Sequence, residues 1–164
     1  MLVKAIGTSK VSIRLSLWDN FNEMQHDDPV PQYTYLVNRI SELYPGLAYI
    51  HVTEPRIVNF EVQDPKGKSN DFIREIWSLR SLISAGGYTR DLAIEWADTK
   101  GDIIAFGRTF ISNPDLPRRL EQNIALTPYD RSTFYDVGWR QGIYRLPICM
   151  ISLLTVDVEF CTPV

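Results

Sequence analysis

The 164-residue chain is poor in cysteine and histidine and carries no surplus of charge of either sign. Its two cysteines, Cys149 and Cys161, are too few for a disulfide framework, and no residue beside them stands at metal-ligand spacing. No metal site and a reducing, cytoplasmic setting are therefore expected. Lys and Arg number 17 against 20 Asp and Glu, a formal charge of -3, which excludes nucleic acid and an anionic membrane as main partners. Met1 to Lys10 lacks the apolar stretch and cleavage pattern of a signal peptide. The longest apolar run, near Leu146 to Val158, is interrupted by Ser152, Thr155 and Asp157 and falls short of the roughly 20 residues a membrane helix needs. What is present is a core: 45% of residues are hydrophobic and 12% aromatic, in a length that suits one ordinary domain.

Short apolar runs alternate with amphipathic ones. Val11 to Ser16 is β-branched and reads as a strand; Pro31 to Tyr44 has helical spacing and stops at Pro45-Gly46. Leu47 to Val52 is nearly continuous in apolar character, as in a parallel strand buried on both faces. Glu54 to Lys68 reads as a long loop. Ser69-Asn70-Asp71 is placed to cap a helix ending near Trp77. Leu82 to Ala85 is a strand that ends in Gly86-Gly87. Thr89 caps a helix through about Ala97, Ile103 to Gly107 is a fourth strand, and Asn113-Pro114-Asp115 opens a helix to about Gln122. Four strand-helix units without a hairpin signal predict an α/β fold with a parallel sheet. A doubly wound sheet and half of a (β/α)8 barrel fit equally well. In both, the site lies at the carboxyl ends of the strands, where Arg14, Glu54, Gly86, Gly87 and Arg108 fall. From about Trp139 the rhythm is lost.

Gly107 and Arg108 leave a buried strand just before a helix start. Glycine permits close backbone approach to a phosphate and arginine grips it with a forked cation; the alternative is a turn glycine and an arginine paired to a carboxylate. Gly86-Gly87 can turn main-chain N–H groups toward an anion or make a tight turn into the next helix. Arg14 interrupts an apolar strand, so it should meet either an internal carboxylate or an electron-rich ligand. Tyr135, after the last helix, is a lid aromatic or packing. His51 inside a strand reads as a hydrogen-bonded core residue, and His26 between loop residues as solvated.

Taken together, Ile13-Arg-Leu-Ser16, His51-Val-Thr-Glu-Pro-Arg56, Ser69-Asn-Asp-Phe-Ile73, Ile83-Ser-Ala-Gly-Gly87, Phe106-Gly-Arg-Thr-Phe-Ile-Ser-Asn-Pro-Asp-Leu116 and Tyr129-Asp-Arg-Ser-Thr-Phe-Tyr135 resemble the old yellow enzyme family, in its fungal branch. The family is one of FMN-dependent NADPH dehydrogenases, or ene-reductases, built on a (β/α)8 (TIM) barrel more than twice this length. The resemblance implies that residues 1–138 are the C-terminal half of the barrel, strands five to eight, and that residues 139–164 are a divergent tail. It implies FMN and NADPH as cofactors and an α,β-unsaturated carbonyl compound (an enone) as the small-molecule substrate. Arg14 would lie against the flavin's pyrimidine edge and stabilise negative charge at N1 on reduction. Gly86, Gly87, Gly107 and Arg108 would hold the FMN phosphate, and Tyr135 would border the substrate opening.

By the same resemblance the carbonyl-binding pair and the proton-donating Tyr belong to the N-terminal half, so no catalytic residue is assigned in this chain. Leu17 stands where relatives have Pro. A half-barrel should leave two sheet edges open for self-association and inward side chains such as Leu15 and Ile104 uncovered. Two other readings stand beside this one. A non-catalytic remnant would act as a weak phosphate-binding or partner-dependent module. A phosphosugar-binding half-barrel would explain Gly107-Arg108 but not Arg14.

Overall fold

The computed structural model describes residues 2–20, 26–58 and 61–134. They fall into two units, divided after Gly107. The first begins with a short helix, α1 (Leu2–Ile6), and a 3-10 turn at Thr8–Lys10. It continues through β1 (Ser12–Leu15), α2 (Val30–Leu43), β2 (Tyr49–Thr53), β3 (Ile57–Val58), β4 (Glu61–Val62), α3 (Asp71–Ile76), β5 (Leu82–Ala85), α4 (Arg90–Lys100) and β6 (Ile103–Ala105).

The expected strands form one four-stranded sheet in the order β1-β2-β5-β6, and every neighbouring pair is parallel. Chain order and spatial order agree, as they do in consecutive units of a barrel wall. β3 and β4 pair antiparallel inside the stretch read from sequence as a plain loop. Two residues per strand are too few to leave an alternation in the sequence.

One face of the sheet carries the core. Leu15, Ile50, Val52 and Leu82 point to it, joined by Val37 of α2, Ile73 of α3 and Trp77 just beyond α3. Leu17 belongs to this cluster at 1% exposure and is a core side chain. The opposite face is less covered among the described residues: in-register rows run Arg14–His51–Ile83–Ile103 and Thr53–Ala85–Ala105, where Arg14 and Ile103 are exposed, Ile103 at 54%, and the others half-buried. β2 therefore alternates rather than being buried on both faces. The expectation for Leu15 and Ile104 is corrected in the same way. They share the row Leu15–Val52–Ser84–Ile104, where Leu15, Val52 and Ser84 are buried, so the less covered side chains are those of opposite parity.

Helix ends follow local chemistry with two exceptions. Thr89 Oγ1 accepts from Leu92 N and Gly101 closes α4 at φ 72°, both as the capping rules require. Asn70 does not cap α3. It is fully buried; Trp18 Nε1 donates to its Oδ1 at 2.8 Å, and its Nδ2 donates to the Thr53 carbonyl at 3.2 Å. Ser69 Oγ accepts from Asp71 N instead.

The second unit begins with α5 (Arg108–Ser112), which the sequence reading missed, and continues with α6 (Leu116–Glu121) and a 3-10 turn at Arg131–Thr133. The helix assigned to Asn113-Pro114-Asp115 begins at Leu116, with Pro117 in its first turn. Asn113 is a buried hub: its Nδ2 donates to the carbonyls of Thr109 and Thr127, and its Oδ1 accepts from Thr127 N at 2.8 Å. Those three hydrogen bonds outweigh a cap. Tyr135 and the tail from residue 139 lie outside the described residues.

Candidate functional site at the carboxyl edge of the sheet

Arg14 is the penultimate residue of β1 and projects from the less covered face. It is exposed, its Nη2 donates to Thr53 Oγ1 at 3.4 Å, and no carboxylate among the described residues pairs with it. Of the two partners expected for a mid-strand arginine, the internal salt bridge is not made. Thr53 Oγ1 also hydrogen-bonds Ser16 Oγ at 3.2 Å, tying the ends of β1 and β2 together.

His51 is Arg14's register partner. The expectation that it is a hydrogen-bonded core residue is not met, because its Nε2 is buried without a partner. Burial, and then the neighbouring Arg14 charge, hold its pKa below 6.5.

Gly86 and Gly87 follow β5 with φ of 128° and 64°. These are left-handed conformations that glycine adopts without penalty. Space demands glycine as well. A Cβ on Gly86 would lie 3.2 Å from Glu54 N, and one on Gly87 would lie 3.2 Å from Ile57 Cδ1 and 3.3 Å from Val62 Cγ2. The β3–β4 hairpin thus packs directly on Gly87. Gly107 differs: its φ is not left-handed, and no atom of the described residues lies within 4 Å of the Cβ position. Packing among the described residues does not require glycine there, and its absence of a side chain leaves open space among them at the end of β6. Since Ala85 and Ala105 are in register, the three glycines leave neighbouring strand ends.

Beneath this edge lies a buried ionic network that the sequence signalled only through Glu54. Glu54 N donates to the Ala85 carbonyl at 2.7 Å, and Glu54 Oε1 accepts from Ser84 Oγ at 2.9 Å and Arg74 Nη2 at 2.6 Å. Arg74 Nε also donates to both oxygens of Asp102, at 3.0 and 2.9 Å. Burial works against the Arg74 charge, but Asp102 and Glu54 outweigh it and raise its pKa. Asp71 accepts from Arg74 and Lys100; burial opposes its charge, yet these cations and Ser69 draw its pKa below 3.8. Tyr88 Oη shares a 2.6 Å hydrogen bond with Ser84 Oγ, so residues on both sides of the glycine turn are tied to Glu54. The available sequence signals were a serine inside a buried strand and an acid placed just before β6.

Arg108, in the second unit, donates through Nη1 to Tyr129 Oη at 3.2 Å, with its guanidinium 5.8 Å from that ring's centre. The structure therefore places Arg14 and the three glycines on one sheet and Arg108 at the start of the other unit.

A parallel sheet in chain order, with glycines and an arginine toward its carboxyl edge, is the arrangement of strands found in part of a barrel-type α/β fold, whose sites lie at that edge. Residues 1–127 match the NADH:flavin oxidoreductase / NADH oxidase family, and the chain belongs to that family. It is 40% identical over 139 residues to the chanoclavine-I aldehyde reductase of Penicillium roqueforti, a match covering 82% of this chain and 37% of the relative. It is 35% identical to a protein named probable inactive dehydrogenase in Claviceps purpurea, covering 95% of this chain and 43% of that one. Among solved structures, morphinone reductase superposes with a TM-score of 0.75 at 32% identity, over 90% of this chain and 38% of the other. The chain thus spans about two-fifths of the length of these relatives.

Proposed function

We propose that this chain supplies the phosphate side and the pyrimidine-edge arginine of an FMN site in an NADPH-dependent ene-reductase, as strands five to eight of the barrel. Residues 1–138 correspond to that half in sequence and 139–164 to a divergent tail. The observation that carries the reading is the glycine set at adjacent strand ends, with Gly107 leaving open space that no contact among the described residues demands.

The residues suit the group. Gly86, Gly87 and Gly107 let main-chain N–H groups approach a phosphate, and Arg108 adds a forked cation. Arg14 is exposed with no carboxylate among the described residues to neutralise it, so its charge is available to an electron-rich ring edge. Bound FMN supplies hydride transfer between NADPH and the C=C bond of an α,β-unsaturated carbonyl compound. This chain's part is to bind and orient the cofactor, with Tyr135 beside the substrate opening. No residue here is assigned to hold the substrate carbonyl or deliver the proton, so the chain by itself is expected not to reduce 2-cyclohexenone with NADPH.

The test is a comparison of FMN with riboflavin, which lacks the phosphate, by quenching of flavin fluorescence on titration with the protein. FMN is expected to bind at least about tenfold more tightly, the scale of one charge-assisted hydrogen bond. Equal affinities would overturn the phosphate assignment. A second reading, binding without turnover in any context, is favoured by relatives named probable inactive dehydrogenase.

A further inference from the structure

Arg56 follows β2 by three residues and has no role in the reading above. Its Nε donates to the Gly86 carbonyl at 3.2 Å. Its guanidinium lies over two aromatic rings, 4.3 Å from the Tyr88 centre and 4.9 Å from that of Trp96. Tyr88 is anchored through Ser84 to Glu54, and the Trp96 ring also receives Lys100 Nζ at 4.4 Å. No carboxylate among the described residues forms an ion pair with Arg56. The arginine is thus held by rings and spends its hydrogen bond on a single backbone oxygen.

That oxygen matters because of peptide geometry. In a trans peptide, the C=O of one residue and the N–H of the next point in opposite directions across one plane. Holding the Gly86 carbonyl on Arg56 therefore directs the Gly87 N–H away from Arg56. A Gly-Gly peptide has the least intrinsic resistance to flipping of any pair, since both residues tolerate either sign of φ. A cation on the carbonyl also polarises the peptide and makes its N–H a stronger donor.

We propose that Arg56 is a positioning residue that locks the Gly86–Gly87 peptide so that the Gly87 N–H is presented to an anionic oxygen, the FMN phosphate on the reading above. The inference rests on that reading, and the experiment separates the two. FMN and riboflavin affinities are measured for the full chain and for Arg56→Met, which keeps stem length and loses the donor. The Gly87 amide is followed by 1H–15N NMR in the flavin-free proteins and on addition of inorganic phosphate.

Arg56→Met is expected to lower FMN affinity about tenfold, the scale of one ordered charged hydrogen bond, and to leave riboflavin affinity unchanged. Its Gly87 amide should be broadened and should lose its response to phosphate. If the parent chain does not prefer FMN over riboflavin, the phosphate reading fails, and the Arg56 role fails with it. If the parent prefers FMN and folded Arg56→Met prefers it equally, only the Arg56 inference is overturned. Should Arg56→Met not fold, Arg56→Lys decides: it keeps the charge but loses the planar fork and its stacking, so the FMN preference should fall at least about threefold. An unaltered preference in that variant also overturns the proposal.

Discussion

Replacing Arg74 by methionine removes the only basic side chain that reaches both Glu54 and Asp102 among the described residues. Those side chains are 4% and 2% exposed, and Arg74 itself 11%, so solvent cannot take over its part. Ser84 remains as a donor to Glu54, but one neutral hydroxyl does not compensate two carboxylates. Removing one partner of a buried ion pair costs about 3–5 kcal/mol, against a total stability of roughly 5–15 kcal/mol for an ordinary domain. Arg74→Met should therefore lose much of its stability at pH 7 in urea unfolding followed by far-UV circular dichroism. A loss below about 1 kcal/mol at pH 7, the scale of an exposed pair, would refute the claim that the network is buried and closed.

The glycines should separate into two kinds. Gly86→Ala, forced to φ 128° against the Glu54 backbone, should cost about 1–3 kcal/mol of stability in the same assay, whereas Gly107→Ala should stay within about 0.5 kcal/mol and instead weaken FMN binding. Because the folded-state pKa of His51 lies below its unfolded 6.5, the unfolded chain binds the extra proton first; stability should fall as pH drops from 6.5, and His51→Gln should flatten that slope. A stability that rises over the same interval relative to His51→Gln would contradict the burial argument. Among the described residues β1 and β6 end the sheet with unpaired edges, so sedimentation velocity should show concentration-dependent self-association; a monomer at high concentration would exclude the edges as contact surfaces.

Periodicity and local punctuation determined the four strands, their parallel sense and the helices between them. Those signals act within ten or so residues: β-branched runs, Thr89 and Gly101 at the ends of α4, Gly86-Gly87 after β5. The motifs likewise sufficed for the family, because a Gly-Arg step before Ser-Asn-Pro-Asp-Leu is legible without coordinates. What depended on contacts between distant segments was not legible. Which parity of β1 faces the helices follows from how α2 and α3 pack, and it put Leu15 in the core, where it had been expected to lie uncovered. Asn70 and Asn113 look like caps locally but serve as buried hubs for partners up to 52 residues away. Arg74 and Asp102 lay in no motif, and the motif that ends in Arg56 gave that residue no role. Their roles exist only because the sheet brings the ends of β2, β5 and β6 together over α3 and α4, and a charge buried there must be answered by whatever the fold places beside it.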